Sequence, residues 1–512
     1  MKKFCFSKSV LPLVLVLFAV TAGSLFAGGA SSGSGGASVH PMRFVVPGTA
    51  SADYATGIKA VNDKLKADGV DIAVDLVYLP WDVYDQRLNL MLSTGEPFEL
   101  IQIMQDVKNI SFLVGKEGIV PIDDLLAKYP NLKNRFSDDD WKAARYGGKT
   151  YAVPATWRSM DNYLSAVTVL LNPLRKVASE FPTDGNIDKF IDVSKKMQAQ
   201  ILQDKGKTAY HWMHQLSWAP NWLHRTYPTY PFYVDMSNNL VLARQDGTID
   251  SYFESQEFRW DAENYRKIFQ AGLIHPDILN TQSVHWTDEF SLLGVMLPSE
   301  ANNTLDAWIG LKQNLPDEQV TTFFLNPEKP HVTFYALNFQ GISATAERPE
   351  SGIKFLDWLY SNKQNHDLFH YGIEGTHYTA SAPNKIAPIN DSTGARLYSS
   401  ADWMTGYLPW MRFSELASPE QIAWATFQAD NKVYTPIAAF TFDSTPVASQ
   451  LAALQTEIIA SFYPIRYGLL DYASAYPAAI QRLKAAGLDQ YMAEYRRQFA
   501  EYLRTNPEII KK

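Results

Sequence analysis

Residues 146–158 have the sequence YGGKTYAVPATWR, and the last two of them are the residues best suited to binding chemistry. Trp157 and Arg158 place a large flat apolar ring beside a permanent cation, which could hold a ligand by stacking and hydrogen bonding. The paired glycines predict a turn, and the residues after them predict a short extended segment. We predict that this stretch crosses between two α/β lobes, with its aromatic end facing the space between them. The alternative is an ordinary hairpin whose tryptophan belongs to the core.

The chain offers little for catalytic or metal chemistry. It has 10 scattered histidines and no HExxH, CxxC or EF-hand spacing, so we predict no metal site and no cofactor. No motif pairs two carboxylates around a scissile bond, as glycoside cleavage requires, so we predict no catalytic residue. The net charge of -8 argues against a nucleic-acid partner, because no basic stripe is present to neutralise phosphates.

The first residues have the pattern of an export signal. Three lysines precede an apolar run at residues 10–22, which at about 1.5 Å per residue spans roughly 20 Å, short of the ~30 Å hydrocarbon core. We predict a cleaved signal peptide at residues 1–27, with cleavage after Ala22 as the alternative, and a flexible Gly/Ser leader at residues 28–41. The single cysteine, Cys5, precedes the apolar run and so cannot carry a lipid anchor. We therefore expect an unanchored periplasmic protein.

The residues after the leader predict an alternation of strands and helices. A buried-type strand is predicted at residues 43–47, an alternating strand at residues 71–79 and a third strand at residues 98–104. Helices are predicted at residues 54–67 and 81–93. This β-α-β-α-β order implies a parallel, wound sheet, in which ligands bind beyond the carboxyl ends of the strands. Asp106, just after the third strand, is therefore a candidate ligand contact; the alternative is a solvated loop acid.

Four motifs carry a resemblance to a known family. Residues 81–96 (WDVYDQRLNLMLSTGE), 120–126 (VPIDDLL) and 148–154 (GKTYAVP) resemble the first half of a family 1 extracellular solute-binding protein. Residues 368–378 (LFHYGIEGTHY) resemble the end of a helix in the long, oligosaccharide-type branch of that family. These proteins are the receptors of ABC-type sugar importers and are similar to maltose-binding protein in architecture. The resemblance covers nearly all of the mature chain.

The resemblance implies a two-lobed periplasmic binding protein fold of the α/β class. Each lobe is a wound sheet with flanking helices, and hinge crossovers connect the two. We predict that residues 42–152 and 333–400 form the first lobe. Residues 153–332 and 401–512 then form the second lobe, which includes a helical C-terminal module.

The resemblance also implies positions for ligand contacts. Trp81 opens the first motif, and Glu300 and Trp308 lie in a loop where the family places its ligand. Asp306, in the same loop, is equally well explained as an N-cap for the helix through Trp308. Glu374 lies in the last motif and could accept hydrogen bonds from ligand hydroxyls or cap a turn.

An aromatic region at residues 211–233 contains two further candidates, Trp218 and Trp222. A sugar needs flat apolar faces for the C–H side of a pyranose and planar polar groups for its hydroxyls, and tryptophan supplies the first of these. The alternative is a packed insert whose tryptophans belong to the core.

The predicted function is a monomeric receptor that binds a small-molecule ligand, an oligosaccharide, and delivers it to an ABC-type membrane permease. We predict that it is not an enzyme. Peptides or other solutes would also suit an aromatic cleft. Two further alternatives remain open: an exported carbohydrate-active enzyme, and a ligand-binding component of a sensor.

Overall fold

The computed structural model describes residues 39–105, 109–157, 166–170, 180, 186–206, 208, 210, 226–235, 237–279, 295–299, 320–324, 331–332, 335–417, 419–427 and 432–510. The predicted signal peptide lies outside these ranges. None of the helices within them combines the length and the apolar character that crossing a bilayer requires.

The described strands and helices alternate along much of the chain. The strands are β1 (His40–Pro47), β2 (Ile72–Leu79), β3 (Leu100–Met104), β4 (Arg145–Tyr146), β5 (Lys149–Thr150), β6 (Ala152–Ala155), β7 (Ala166–Leu170), β8 (Phe232–Val234), β9 (Val241–Arg244), β10 (Ile249–Ser251), β11 (Val295–Ser299), β12 (Val320–Phe324), β13 (His331–Val332), β14 (Asn338–Ile342), β15 (Tyr378–Ala382), β16 (Lys385–Pro388), β17 (Phe413–Ser414) and β18 (Val433–Tyr434). The helices are α1 (Tyr54–Ala67), α2 (Tyr84–Thr94), α3 (Ile110–Gly115), α4 (Asp123–Leu126), α5 (Pro130–Lys133), α6 (Asp138–Lys142), α7 (Ile187–Lys205), α8 (Gln256–Gln270), α9 (Pro349–Leu359), α10 (Lys363–Tyr371), α11 (Asp402–Thr405), α12 (Pro419–Ala425), α13 (Ala448–Glu457), α14 (Tyr463–Arg466), α15 (Tyr472–Ala485) and α16 (Leu488–Thr505).

The largest described sheet has five strands in the order β2-β1-β3-β14-β6. Strand β1 runs parallel to β2 and β3, as the β-α-β-α-β pattern predicted. Strand β14 runs antiparallel to both β3 and β6. The carboxyl ends of β1, β2, β3 and β6 therefore meet the amino end of β14 at one edge of the sheet.

The sequence explains why these elements form. All five residues of β3 are buried, because strands pack on both its sides and helices cover the sheet. In α1 the buried residues Ile58, Val61 and Leu65 recur every three or four positions, which gives the helix one apolar face. Asp53 precedes α1, but its carboxylate accepts hydrogen bonds from the side chains of Thr56 and His377 rather than from a main-chain N–H.

Two large, separate clusters of buried side chains form the core of the described residues. The first joins the five-stranded sheet to α1, α2, α9 and α10. The second joins β8–β10, α7 and α8 to the C-terminal helices α13–α16. Met404 belongs to the first cluster, although it lies within residues 401–512, which we predicted to join the second lobe. The lobe boundaries stay a prediction.

Candidate functional site

The candidate site lies at the edge of the first sheet where the parallel strands end. Ligands bind at this edge in wound α/β sheets. Trp81 follows β2, Gln105 follows β3, and Thr156 and Trp157 follow β6. The fold thus brings together residues from three separate parts of the sequence.

Trp81 is the exposed aromatic residue at this edge. Its side chain is 55% exposed. Its ring stacks on that of Trp403, with centroids 6.0 Å apart and planes at 27°, and it also contacts Tyr84 at 6.1 Å. We call these three residues the aromatic platform. Because two rings hold Trp81 in place, a ligand that stacks on it would pay little for lost side-chain freedom.

Tyr84 forms the fixed base of the platform. Its side chain is 2% exposed, and its hydroxyl donates a hydrogen bond to the main-chain oxygen of Gln102 in β3 at 3.1 Å. Burial raises its pKa, so the hydroxyl stays protonated and able to donate. Residues 81–83 form a turn between β2 and α2, and this turn keeps Trp81 outside the helix.

Trp403 belongs to residues 402–408, which we call the edge segment. Side chains of the first core hold this segment from beneath. Gln340 Nε2 donates to the Met404 oxygen at 2.6 Å, and the Tyr360 hydroxyl donates to the Thr405 oxygen at 2.9 Å. Both donors are buried, so loss of either bond would cost free energy.

The far end of the edge segment pairs with the residue that follows β6. Thr156 N–H donates to the Gly406 oxygen at 2.9 Å, and Leu408 N–H donates to the Thr156 oxygen at 2.6 Å. Tyr407 N–H donates to His366 Nε2 at 3.1 Å. Burial lowers the pKa of His366, which keeps the imidazole neutral and its Nε2 able to accept.

Trp157 lies in a small apolar cluster beside the platform. Its side chain is 8% exposed and is grouped with Met411 and Phe413, and Trp403 packs against the same cluster. Trp403 therefore connects the surroundings of Trp81 with those of Trp157. The paired glycines before Trp157 form the turn of the β4–β5 hairpin. The role of Trp157 as a ligand contact stays a prediction.

Glu374 is exposed in the turn after α10. In the same turn, His377 Nδ1 accepts from Ile373 N–H at 2.9 Å, and its Nε2 lies 3.1 Å from Asp53 Oδ2, just before α1. Hydrogen bonds from Thr56 and His377 lower the pKa of Asp53, so this carboxylate remains charged. The turn is thus fixed to the start of α1, and ligand contact by Glu374 stays a prediction.

The remaining predicted contacts lie outside the described residues. They are Asp106, Arg158, Trp218, Trp222, Glu300 and Trp308. Within the part of the chain that the structure describes, no group of three or more His, Cys, Asp or Glu residues could hold a metal ion.

Sequence reasoning missed Trp403 and the edge segment. Tryptophans at 403 and 410 and a tyrosine at 407 were a visible aromatic signal. The segment has only a short helix, α11, so helical or strand periodicity did not reveal it.

Comparison with known families gives two matches. Residues 60–387 match the family described as bacterial extracellular solute-binding protein. Residues 436–504, which include α13–α16 up to near the end of α16, match a domain of unknown function, DUF3502.

Individual proteins similar to this chain are also solute-binding proteins. A carbohydrate ABC transporter substrate-binding protein of Streptococcus pneumoniae serotype 4 is 21% identical over 454 residues, which are 86% of this chain and 87% of that protein. The structure of an N-glycan transport solute binding protein from Streptococcus pneumoniae, in complex with Man1GlcNAc, matches with a TM-score of 0.70 and 16% identity, over 91% of this chain and 99% of that one.

A second structure shows the same fold. It is an HMO binding ABC-transporter associated solute binding protein from Bifidobacterium longum infantis, with a TM-score of 0.60 and 16% identity, over 91% of this chain and 99% of that one. The predicted two-lobed α/β fold is confirmed. The matched family consists of binding proteins rather than enzymes, and its description places its members outside the cytoplasm. This chain belongs to the bacterial extracellular solute-binding protein family.

Proposed function

We propose that this protein captures an oligosaccharide between its two lobes and delivers it to an ABC-type permease. The observation that carries the proposal is the aromatic platform, an exposed tryptophan held by two further rings at the ligand-binding edge of a wound sheet. The carbohydrate-transport names of the similar proteins support the ligand class.

The exposed ring of Trp81 provides the flat apolar surface on which the C–H face of a pyranose can stack. In this proposal Gln105, Asp106 and Arg158 supply the planar groups for sugar hydroxyls. Gln105 is a half-buried amide directly after β3, and Asp106 and Arg158 follow β3 and β6 in the sequence. Carboxylate and guanidinium groups make the stronger, charge-assisted hydrogen bonds.

The proposed hinge includes the segment that enters the second core after β18. Ser111 in α3 donates to the main-chain oxygen of Phe442 at 2.6 Å, which joins an element of the first core to the second core. Tyr335 stacks on Tyr434 with centroids 4.1 Å apart. We place the edge segment, residues 402–408, with the first lobe, because it packs on the first sheet.

The remaining parts of the proposal concern export and assembly. A cleaved signal at residues 1–27 without a lipid-anchored cysteine gives a receptor free in the periplasm, because Cys5 precedes the apolar run. The receptor works as a monomer and cleaves nothing.

Thermal unfolding of residues 28–512 with a panel of saccharides tests the proposal. The panel includes mannose, a mannose–N-acetylglucosamine disaccharide and kestose, with short peptides as controls. A ligand at 100 times its dissociation constant adds about 2.7 kcal/mol of stability, so it should raise the unfolding midpoint clearly. The expected result is a shift with an oligosaccharide that mass spectrometry recovers intact.

Other outcomes contradict defined parts of the proposal. Cleavage of the sugar would indicate an enzyme, and a shift with peptides alone would refute the carbohydrate ligand. A sensor would bind the same sugar but would not be needed for its uptake. Normal uptake of labelled sugar by a strain lacking the gene would therefore refute the transport role.

A further inference from the structure

The edge segment rests on two buried histidines of α10. His366 and His370 lie one helical turn apart, both are 0% exposed, and their ring centroids are 4.4 Å apart. Histidine is the side chain whose charge changes most readily near neutral pH. Two of them therefore lie where a change of charge could affect the proposed ligand site.

Both imidazoles contact the edge segment or the residues just before it. His366 Nε2 accepts the N–H of Tyr407 at 3.1 Å. His370 Nε2 lies 3.4 Å from Thr405 Oγ1, and its Nδ1 lies 3.5 Å from Ser400 Oγ. The hydroxyls can reverse their roles as donor and acceptor, but the main-chain N–H of Tyr407 can only donate. His366 therefore has to keep Nε2 free of a proton to maintain its bond.

The charged groups around the pair act in opposite directions on protonation of His366: Asp367 favours it and two cations oppose it, while burial, the largest effect, keeps the imidazole neutral. Asp367 Oδ1 lies 3.8 Å from His366 Nδ1, but Arg412 and Lys363 occupy the same carboxylate at 2.7 Å and 3.2 Å. Both cations oppose protonation of His366. His370 faces His366 and the ring of Tyr371. The charged groups near Tyr371 include Asp402 and Arg396.

We propose that His366 is a positioning residue for the ligand site: its neutral imidazole holds Tyr407, and through the edge segment Trp403, so that ligand affinity falls when it is protonated. A protonated Nε2 would point its hydrogen at the Tyr407 N–H, and the two donors would repel each other. The edge segment would then move off α10, and Trp81 would lose the ring on which it stacks. This inference rests on the proposed function, because it concerns the same site.

Burial of the two histidines determines in which direction ligand affinity changes with pH. Burial lowers the pKa of both histidines. A histidine whose pKa is lowered in the folded state contributes stability that is present above its ordinary pKa of about 6.5 and is lost as the pH falls below it. Ligand affinity depends on protonation of the folded protein, in which the pKa of His366 lies below its ordinary value of about 6.5. We therefore expect affinity to be constant above that value and to weaken only as the pH falls through the lowered pKa, by at most about tenfold per pH unit for one linked proton.

Two matched variants separate positioning from a structural role. His366→Gln retains an oxygen that can accept the Tyr407 N–H but cannot be protonated in this range. His370→Gln changes the neighbouring ring in the same way. Affinity for the saccharide found in the thermal screen is measured from pH 8 down to the lowest pH at which far-UV circular dichroism shows each protein to be folded.

We expect the wild type and His370→Gln to lose affinity on acidification and His366→Gln to keep it. Equal pH profiles for wild type and His366→Gln would refute the proposal, and a flat profile for His370→Gln alone would move the role to that residue. Loss of the far-UV signal together with affinity in the wild type would show a global stability effect instead.

A ligand-free measurement keeps this inference separate from the proposed function. Fluorine NMR of 5-fluorotryptophan at position 403 reports the environment of that ring without any sugar. We expect its resonance to shift as the pH falls through the lowered pKa of His366 in the wild type and not to shift in His366→Gln. If this shift occurs and no saccharide binds, the positioning role stands and the ligand class is wrong. If the resonance does not shift, the positioning role is refuted whatever the protein binds.

Discussion

Replacing Trp81 with alanine should weaken saccharide binding and leave the fold intact. The side chain is 55% exposed, and a tryptophan has roughly 250 Å² of surface, so about 140 Å² faces solvent. A pyranose on one ring face would cover about half of that, roughly 70 Å². At about 25 cal/mol per Å² this burial contributes about 1.7 kcal/mol, or about a 20-fold change in dissociation constant. The stability lost with the Trp403 contact is smaller, about 1 kcal/mol.

Isothermal titration calorimetry with the saccharide found in the thermal screen measures the effect, and urea unfolding measures the stability. Leu90→Ala is the matched control, because Leu90 is 49% exposed on α2 and belongs to neither the platform nor the edge segment. We expect Leu90→Ala to bind as the wild type does. A dissociation constant for Trp81→Ala within twofold of the wild-type value would show that the ligand does not stack on this ring.

Two further predictions concern stability. Gly372→Ala should lower the free energy of unfolding in urea by about 3 kcal/mol, because Gly372 has φ +80° and an added Cβ would lie 2.2 Å from His377 Nδ1. Gly375→Ala is the control: Gly375 has φ +83° but open space around it, so this variant should lose only about 1 kcal/mol. Equal losses for the two variants would contradict the steric argument. Burial acts to raise the pKa of Glu257, but hydrogen bonds from Arg244 outweigh burial, and the pKa is lowered overall. The charged carboxylate therefore contributes stability above the ordinary glutamate pKa of about 4.3, and this contribution is lost as the pH falls below that value. Glu257→Gln should cost about 2 kcal/mol at pH 7 and flatten this acid-dependent loss, and an unchanged profile of urea midpoint against pH would refute the assignment.

The strands of the first sheet could be predicted because their signal is local. Five of the seven residues at 98–104 are apolar, proline precedes them, and β3 is buried throughout. The start of α2 was less accurate: the helix predicted from residue 81 begins at Tyr84, because residues 81–83 form a turn. That small difference matters for function, since the turn leaves Trp81 at the strand end with its ring exposed.

The platform itself could only be half predicted. Trp81 was identified through a motif, but Trp403 is far from it in the sequence and reaches it only because of long-range contacts. Gln340 and His366 fix the edge segment from two other elements, and no local pattern encodes those bonds. Propensity and periodicity describe single elements, whereas this site depends on how separate elements meet at one edge of the sheet.

The platform alone does not account for the proposed closure of the two lobes. A ligand that contacts one lobe binds the open and closed forms equally well, so it shifts no population however tightly it binds. Changing a 1:99 mixture of closed and open forms to 99:1 takes about 5.5 kcal/mol of differential affinity, whereas stacking on Trp81 supplies about 1.7 kcal/mol to both forms. The energy for closure therefore has to come from contacts that the second lobe adds. It follows that Trp81→Ala should weaken binding without changing the extent of closure at saturating ligand.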